Sequence, residues 1–247
     1  MNVPMFETID FETISTCNRV CPTCLRNSYP NRELVSSFFE PTYLPRILIK
    51  DALDQCVELG FTGSVILNHY NEPLMDERLP DLVRMVRAYP QWKSVWFHSN
   101  GDLLTEEIAK ELDGELDRIV FTLYMDEPVK SKRAEWIRSL FPNTYLDINT
   151  YSEHIVTHFS PKPERDDMIF RHQNNPCTEA ERRVAINHRG DYLLCCDDMI
   201  GHFGLGSFPE VSIEEYWFGT NHVKIMEDLR QMGGRLKYRW CAICPRT

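Results

Sequence analysis

Five short apolar runs recur through the first 150 residues of the chain. Each run is rich in β-branched and aromatic residues and is bounded by polar or turn-forming positions, which predicts a β-strand. The predicted strands cover residues 6–14, 64–68, 92–98, 118–124 and 145–150.

Helical patterns fill the intervals between these strands. Apolar residues recur at three- and four-residue spacing in 43–59 and again in 76–89, and 127–140 is helical up to the breaker Pro142. Thr105 precedes two glutamates, as an N-cap precedes carboxylates in the first helical turn. Strands separated by such helices are typical of βαβ units, so the predicted fold class is α/β with a parallel sheet. A doubly wound sheet and a barrel both fit this order.

The pattern changes after residue 151. Residues 152–176 are polar and contain several prolines, and the alternation of strands and helices stops there. Apolar stretches then flank Arg189-Gly190-Asp191, which predicts a β-hairpin, and two helical segments follow it. We therefore predict a core over 1–151, a connecting segment over 152–176 and a small hairpin-plus-helix module over 177–247.

Composition narrows the class of protein. With 247 residues and 43% hydrophobic content, the chain can bury a full core. No apolar run is long enough for a membrane span, and a net charge of −10 argues against nucleic acid as a partner. Nine cysteines in a chain without a signal-like N-terminus indicate metal thiolates in the cytoplasm, a reducing compartment, better than disulfides. Cys56 falls on the apolar face of 43–59 and is predicted to be buried.

Three cysteines follow the first predicted strand in a C-x3-C-x2-C pattern: Cys17, Cys21 and Cys24. Three thiolates on one loop can hold three corners of a 4Fe–4S cluster, and no fourth cysteine lies nearby to close the last corner. The open iron could be chelated by the amino and carboxylate groups of S-adenosylmethionine, whose carbon–sulfur bond one electron would split to give a 5′-deoxyadenosyl radical. Half of a zinc site is the alternative, but it needs another ligand, and the nearest histidine is His69.

A second set of cysteines lies in the C-terminal module: Cys177, Cys195, Cys241 and Cys244. Four thiolates suit a 4Fe–4S cluster whose irons are all bound by protein, and they equally suit a structural zinc site. Adjacent residues on a strand point to opposite faces, so Cys195 and Cys196 cannot both face one cluster without distortion, and Cys195 is chosen by its spacing from Gly190. A dithiol redox pair is a further alternative for Cys241 and Cys244, but such pairs normally open a helix inside a βαβ unit.

The first motif resembles the signature of the radical S-adenosylmethionine enzymes. The C-terminal hairpin with Gly190, Cys195 and a terminal C-x2-C resembles the half-SPASM or Twitch auxiliary-cluster domain of such enzymes. This resemblance implies an open, partial (β/α) barrel of five to six parallel strands. It also implies two 4Fe–4S clusters, S-adenosylmethionine and a flavodoxin- or ferredoxin-like electron donor.

Two loops resemble the cofactor-binding loops of this family. Asn71, Glu72 and Pro73 follow the second strand, where the family carries a Gly-Gly-Glu-Pro-like loop that binds the methionyl ammonium. Ser99 and Asn100 follow the third strand in a stretch like the family's Thr-Asn-Gly, which implies hydrogen bonds to the carboxylate or ribose. An ordinary turn is the alternative for each loop.

Polar side chains at strand ends are candidates for contacts to a substrate. They are His69, Tyr124, Asn149, Tyr151 and His158, and each could instead be satisfied within the core. No catalytic base can be named from the sequence.

The resemblance also suggests a reaction. The compact size and single closed auxiliary site are similar to those of aminocyclitol dehydrogenases, which implies two-electron oxidation of a sugar or aminocyclitol alcohol by an oxidoreductase. Radical modification of a ribosomal peptide, by epimerisation or cross-linking, is the alternative and would make the partner a peptide instead of a small polar substrate. An iron–sulfur electron carrier or scaffold is the non-enzymatic alternative.

Overall fold

The computed structural model describes residues 3–150, 158–159 and 164–246. In these residues seven strands form one sheet, which we number in chain order. Every neighbouring pair is parallel except the last two strands, which form an antiparallel hairpin. The strands are β1 (Thr8–Phe11), β2 (Ser64–Ile66), β3 (Ser94–Ser99), β4 (Arg118–Leu123), β5 (Tyr145–Thr150), β6 (Arg183–Ile186) and β7 (Tyr192–Leu193).

The order of strands across the sheet is β5-β4-β3-β2-β1-β6-β7. The first five strands lie side by side in chain order, as strands do in a barrel, and β6 extends the parallel set at the free edge of β1. Among the strands of the described residues, β5 and β7 are the two edges and do not pair with each other. The predicted α/β fold, an open partial barrel with five to six parallel strands, is confirmed.

The sheet crosses the predicted boundary at residue 177. The predicted hairpin forms between β6 and β7, but β6 also pairs with β1 along its whole length, from Thr8 opposite Arg183 to Phe11 opposite Ile186. A run buried as fully as Val184 to Ile186 is typical of a strand inside a parallel sheet. The C-terminal region therefore shares a continuous sheet with the strands that precede it.

Helices connect the strands and cover the C-terminal region. Thr105 caps its helix as predicted, since its side chain accepts a hydrogen bond from the Ile108 amide. Two short helices in the segment after the cysteine motif were not predicted. The helices are α1 (Leu25–Ser28), α2 (Arg32–Phe38), α3 (Arg46–Glu58), α4 (Leu79–Arg87), α5 (Glu106–Leu112), α6 (Val129–Leu140), α7 (Glu164–His172), α8 (Ile213–Phe218), α9 (Thr220–Leu229) and α10 (Arg239–Ala242), with 3-10 turns at Pro73–Met75, Glu179–Glu181 and Gly234–Lys237.

The apolar core runs from the sheet into the C-terminal helices. Phe6 stacks on Phe61 with ring centroids 4.4 Å apart, and the Trp217 ring of α8 packs edge-on against Phe6. The Trp217 indole also donates a hydrogen bond to the Pro4 carbonyl at 2.9 Å. Cys56 is buried in this core, as predicted. None of the helices described above is long and apolar enough to cross a membrane.

Candidate functional site

A cavity of about 470 Å³ lies at the carboxyl ends of the parallel strands. Cys17, Cys21 and Cys24 line one part of it. The rest of the wall comes from positions at or just after the ends of the strands, where side chains of parallel strands meet at one edge of a sheet. These polar residues include Asn68, His69, Asn71, Glu72, His98, Ser99, Asn100, Thr122, Tyr124 and Asn149.

The cysteine loop is fixed to the loop after β3. The Arg19 guanidinium donates two hydrogen bonds to Asp102, at 2.6 and 2.7 Å, and lies 4.5 Å from the centre of the Tyr124 ring. The Asn100 amide group donates to the Asn18 side chain at 2.8 Å. A forked ion pair that also stacks on an aromatic ring holds a loop in one geometry better than a single charge contact. These contacts therefore place the thiols opposite Ser99 and Asn100.

The thiols of this loop lie in a partly buried environment. Burial raises the pKa of the Cys24 thiol to about 11 and also raises the pKa of Cys17, while the Arg26 guanidinium opposes both shifts. Metal binding requires thiolates, so cluster assembly on this loop must displace protons. Cys24 is also the N-cap residue of α1, and its amide donates to the Cys21 carbonyl at 3.1 Å, which makes the last part of the motif a compact turn.

Glu72 connects the loops after β2 and β3. Its carboxylate accepts hydrogen bonds from the Ser99 hydroxyl at 2.7 Å, the Asn100 amide at 2.8 Å and the Leu74 amide at 3.1 Å. The side chain is 2% exposed, and burial raises its pKa although the three donors oppose the shift. Both carboxylate oxygens thus already have protein partners, so Glu72 shapes the wall on which Ser99 and Asn100 lie.

The other two residues of this loop have different positions. Asn71 lines the cavity, and its side-chain oxygen accepts from the His69 amide at 2.9 Å. The Asn71 amide nitrogen is buried and has no hydrogen-bond partner among the described residues, so it is a free donor at the cavity. Pro73 is buried at the start of its 3-10 turn and does not line the cavity.

Replacing Glu72 by glutamine should weaken cofactor binding. The amide would place a donor against the Asn100 amide or the Ser99 hydroxyl, and the loops after β2 and β3 would separate. Hydrogen bonds to a charged group contribute about 1.5–3 kcal/mol, so we expect the Kd for S-adenosylmethionine to rise about tenfold or more. Calorimetric titration of the anaerobic, reconstituted protein measures this, with exposed Glu77→Gln as the control. An unchanged Kd would show that Glu72 does not shape the cofactor site.

A second cavity, of about 260 Å³, gathers the C-terminal cysteines. Cys177, Cys195, Cys241 and Cys244 all line it, although they lie on three separate segments of the chain. The Cys177 amide donates to the Leu229 carbonyl at 2.8 Å, which holds the first segment to the end of α9. Burial raises the pKa of both Cys241 and Cys244 to about 12. The structure therefore brings together the four thiols that the sequence analysis grouped.

Cys196 also lines this second cavity, contrary to the strand argument. β7 ends at Leu193, so Cys195 and Cys196 lie in a turn where side chains do not alternate between two faces. The Cys196 sulfur is 3.9 Å from a Glu179 carboxylate oxygen. The strand argument does not apply to these two thiols, because β7 ends two residues before Cys195.

The two cavities share a wall formed by Asp197 and Arg246. The Arg246 guanidinium pairs with the Asp197 carboxylate at 2.9 Å. Two further bonds span the junction: the Tyr70 hydroxyl donates to the Cys196 carbonyl and the Trp240 indole to the Asp197 carbonyl, both at 2.9 Å. This wall could not be predicted from the sequence, where its only signal is that Asp197 directly follows Cys195-Cys196.

The thiols of the described residues are not arranged as a preformed site for a single metal ion. A zinc ion would draw its ligands to within about 2.3 Å of one point. Among the described residues, no three His, Cys, Asp or Glu side chains converge on such a point. The thiols instead lie around the walls of two cavities, where they could hold the corners of a cluster.

The substrate candidates divide between the two cavities. His69, Tyr124 and Asn149 line the first, and the His69 Nε2 atom is buried with no hydrogen-bond partner among the described residues. His158 lines the second cavity, and Tyr151 lies outside the described residues. Asn68, His98 and Thr122 are added to the first group by the structure. The wall of the first cavity can therefore both donate and accept hydrogen bonds.

A buried pair missed by the sequence analysis supports this wall. The Glu12 carboxylate lies 2.6 Å from His188 Nδ1 and accepts from the Tyr70 amide at 3.0 Å. Glu12 follows β1 and His188 lies in the β6–β7 turn, so the pair joins these elements beneath Tyr70. Both side chains are at most 1% exposed.

His158 should make stability depend on pH. Burial lowers its pKa to about 4 from the ordinary value of 6.5, and its ring stacks on Trp240 with centroids 4.2 Å apart. Below pH 6.5 the unfolded chain takes up the proton first, so stability is full above that pH and falls until about pH 4. The loss should approach about 3 kcal/mol. Urea unfolding of the apo-protein between pH 4 and 6.5 measures the free energy of unfolding at each pH. This free energy should depend less on pH in His158→Phe, and an equal pH dependence in both proteins would exclude His158 as the cause.

Comparison with known proteins supports the sequence interpretation. No family model matches the chain. The chain is 25% identical over 242 residues to the S-adenosyl-L-methionine-dependent 2-deoxy-scyllo-inosamine dehydrogenase of Niallia circulans, covering 97% of this chain and 93% of the relative. A GTP 3′,8-cyclase of Chlorobaculum tepidum is 28% identical over 47% of this chain and 33% of its own length.

Solved structures show the same fold. BtrN in complex with AdoMet and 2-DOIA superimposes with a TM-score of 0.76 at 22% identity, covering 99% of this chain and 94% of that one. Native anSMEcpe with bound AdoMet gives a TM-score of 0.62 at 14% identity over 96% of this chain and 88% of that one. The similarity to radical S-adenosylmethionine enzymes inferred from the cysteine motifs is confirmed.

Proposed function

We propose that this chain is a radical S-adenosylmethionine oxidoreductase that oxidises an alcohol of a sugar or aminocyclitol to a ketone. The observation that carries the proposal is the adjacency of two thiol-lined cavities, which share Asp197 and Arg246. Similarity over nearly the whole chain to an S-adenosyl-L-methionine-dependent 2-deoxy-scyllo-inosamine dehydrogenase supports the same reaction class.

The chain's own residues divide the work between the cavities. Cys17, Cys21 and Cys24 would hold the cluster that binds the cofactor, with Asn71 and the Glu72-supported pair Ser99 and Asn100 around the cofactor's polar groups. The four C-terminal thiols of the second cavity would hold the auxiliary cluster. When bound, these groups supply a 5′-deoxyadenosyl radical on one side and an electron acceptor on the other.

The reaction balances with this arrangement. Oxidising a carbinol to a ketone removes a hydrogen atom from carbon, a proton from the hydroxyl oxygen and an electron. The hydrogen atom would end in 5′-deoxyadenosine, the proton in solvent and the electron at the second site, and the cofactor would also yield methionine. A substrate in the first cavity would lie next to the shared wall and would also face Tyr124 and Asn149.

A peptide substrate is the second candidate. The fold also matches native anSMEcpe with bound AdoMet and Cp18Cys peptide, with a TM-score of 0.59. The net charge of −10 would suit a basic peptide.

The electron that starts either reaction would come from a flavodoxin- or ferredoxin-like donor in the cytoplasm, where thiols stay reduced. A carrier or scaffold role leaves the polar wall of the first cavity without purpose.

Product analysis separates these functions. The reduced, anaerobic protein is incubated in deuterated water with S-adenosylmethionine and either 2-deoxy-scyllo-inosamine or a candidate peptide. We expect the aminocyclitol to lose two hydrogens and to form a ketone that an oxime reagent captures. Deuterium gained from solvent by the peptide, without net oxidation of the aminocyclitol, would contradict the proposal and indicate epimerisation.

A further inference from the structure

A buried arginine forms part of the wall of the second cavity. Arg235 is 1% exposed and lies in the Gly234–Lys237 turn, which begins five residues after the last residue of α9. Gly233 adopts a left-handed φ of +74°, and a side chain on Gly234 would come within 1.7 Å of the Asp228 carbonyl oxygen. Only a glycine pair permits so close a return of the chain to α9. The backbone is therefore specialised for carrying Arg235 into the interior.

Most of the hydrogen-bonding capacity of Arg235 is unused. Its Nη1 atom donates to the Arg246 carbonyl at 2.6 Å, whereas Nε and Nη2 are buried and have no partner among the described residues. A guanidinium has five N–H donors in a fixed plane and cannot be neutralised by losing a proton in a protein. Two of its three nitrogen atoms are thus left to whatever fills the cavity.

The carboxylates of the same wall are engaged by other arginines. Asp197 pairs with Arg246 at 2.9 Å, and Glu179 pairs with Arg182 at 3.5 Å and with Arg183 at 3.7 Å. No ion pair joins Arg235 to a carboxylate in residues 3–150 or 164–246. A buried charge without a partner costs several kcal/mol, so a protein rarely keeps one without a compensating group.

We propose that Arg235 is the counter-charge and hydrogen-bond donor of an auxiliary cluster bound by the second cavity. This inference rests on the proposed assignment of a cluster to Cys177, Cys195, Cys241 and Cys244. A 4Fe–4S core with four thiolates carries a net charge of roughly −2, and N–H groups beside its sulfur atoms are a recognised control on its reduction potential. Arg235 supplies both the opposite charge and the N–H groups.

The sign of the effect follows from the charge. Reduction adds one negative charge to the cluster, so a fixed cation beside it stabilises the reduced form more than the oxidised form. Arg235 therefore raises the reduction potential and makes the cluster a better electron acceptor. Arg235 is a positioning residue in this scheme, since it acts on the substrate only through the cluster.

The reduction potential of the auxiliary cluster tests the proposal. The full-length Cys17→Ala/Cys21→Ala/Cys24→Ala protein isolates that cluster, and Arg235→Met, Arg235→Lys and the exposed control Arg239→Met are added to it. We expect Arg235→Met to lower the equilibrium constant for one-electron reduction at least tenfold, which corresponds to about 59 mV. Arg235→Lys keeps the charge, so it should lower this equilibrium constant less than Arg235→Met does. Arg239→Met should have the same equilibrium constant as the parent.

The stability of the protein without clusters gives a second, independent readout. In the apo-protein the guanidinium is an uncompensated buried charge, so Arg235→Met should leave the Tm unchanged or raise it, whereas in the reconstituted protein it should lower the Tm. A lowered apo-protein Tm together with an equilibrium constant for one-electron reduction within twofold of the parent's would overturn the role of Arg235. A second cavity that takes up no iron would overturn the cluster assignment and this proposal together, and iron analysis distinguishes the two failures.

Discussion

Replacing Cys17, Cys21 and Cys24 together by alanine should abolish the release of 5′-deoxyadenosine and remove half of the bound iron. The three thiols line the first cavity, and Arg19 fixes their loop against Asp102. Without them nothing would hold iron beside Asn71, Ser99 and Asn100. Anaerobic reconstitution should give about eight irons and eight sulfides per native chain, and about four of each in the variant. Iron and sulfide assays, with chromatography of the nucleoside, measure both quantities.

A buried cysteine away from both cavities provides the control. Cys56→Ala removes a thiol from the apolar core and should keep both the full iron content and 5′-deoxyadenosine release. Its expected cost lies in stability alone, because it leaves a small cavity among apolar neighbours. Retention of all the iron by the triple variant would contradict the assignment of the first motif.

Replacing Cys241 and Cys244 by alanine should separate cofactor cleavage from substrate oxidation. The first cavity contains neither residue, so 5′-deoxyadenosine should still form, whereas the ketone product should fall by at least about 100-fold, or about 2.7 kcal/mol. The reason is that the substrate loses the electron acceptor on the far side of the Asp197–Arg246 wall. Quantifying nucleoside and ketone in the same reaction gives their ratio, which should move far from unity.

Cys196 provides the matched control in the same cavity. It lines the wall beside Cys195 but is the fifth thiol at a site that needs four. Cys196→Ala should therefore keep its iron and form ketone and nucleoside in equal amounts. Full ketone formation by the Cys241→Ala/Cys244→Ala protein, or stoichiometric zinc in place of iron in protein made anaerobically with ample iron, would contradict the auxiliary-cluster assignment.

The βαβ part of the fold could be predicted because each of its strands and helices has a recognisable pattern of apolar residues within its own segment. Apolar runs such as 118–124 and helical stripes such as 76–89 are properties of neighbouring residues, and the structure places β4 and α4 within them. The pairing of β6 with β1 could not be read in this way. It joins Arg183 to Thr8 across most of the chain, and the hairpin signal around Gly190 gave β6 a local partner that concealed its second one.

The two thiol sets could likewise be grouped from spacing, whereas the wall between them could not. Asp197 and Arg246 are far apart in the sequence, and their contact depends on the position of the segment after α10 beside the turn that follows β7. The burial of Arg235 could not be predicted either, because an arginine in a polar stretch of sequence normally lies on the solvated surface. The family resemblance implies that the loop containing Glu72 binds the methionyl ammonium of the cofactor. In the structure, the Glu72 carboxylate already accepts hydrogen bonds from three protein donors.

The most direct test of the central claim follows a hydrogen atom from substrate to cofactor. Aminocyclitol deuterated at the carbinol carbon is given to the reduced native protein with S-adenosylmethionine in ordinary water. If the chain is a radical dehydrogenase, deuterium should appear in 5′-deoxyadenosine, and ketone and nucleoside should form in equal amounts. Ketone formed with unlabelled 5′-deoxyadenosine, or labelled nucleoside with the alcohol recovered unoxidised, would contradict the account.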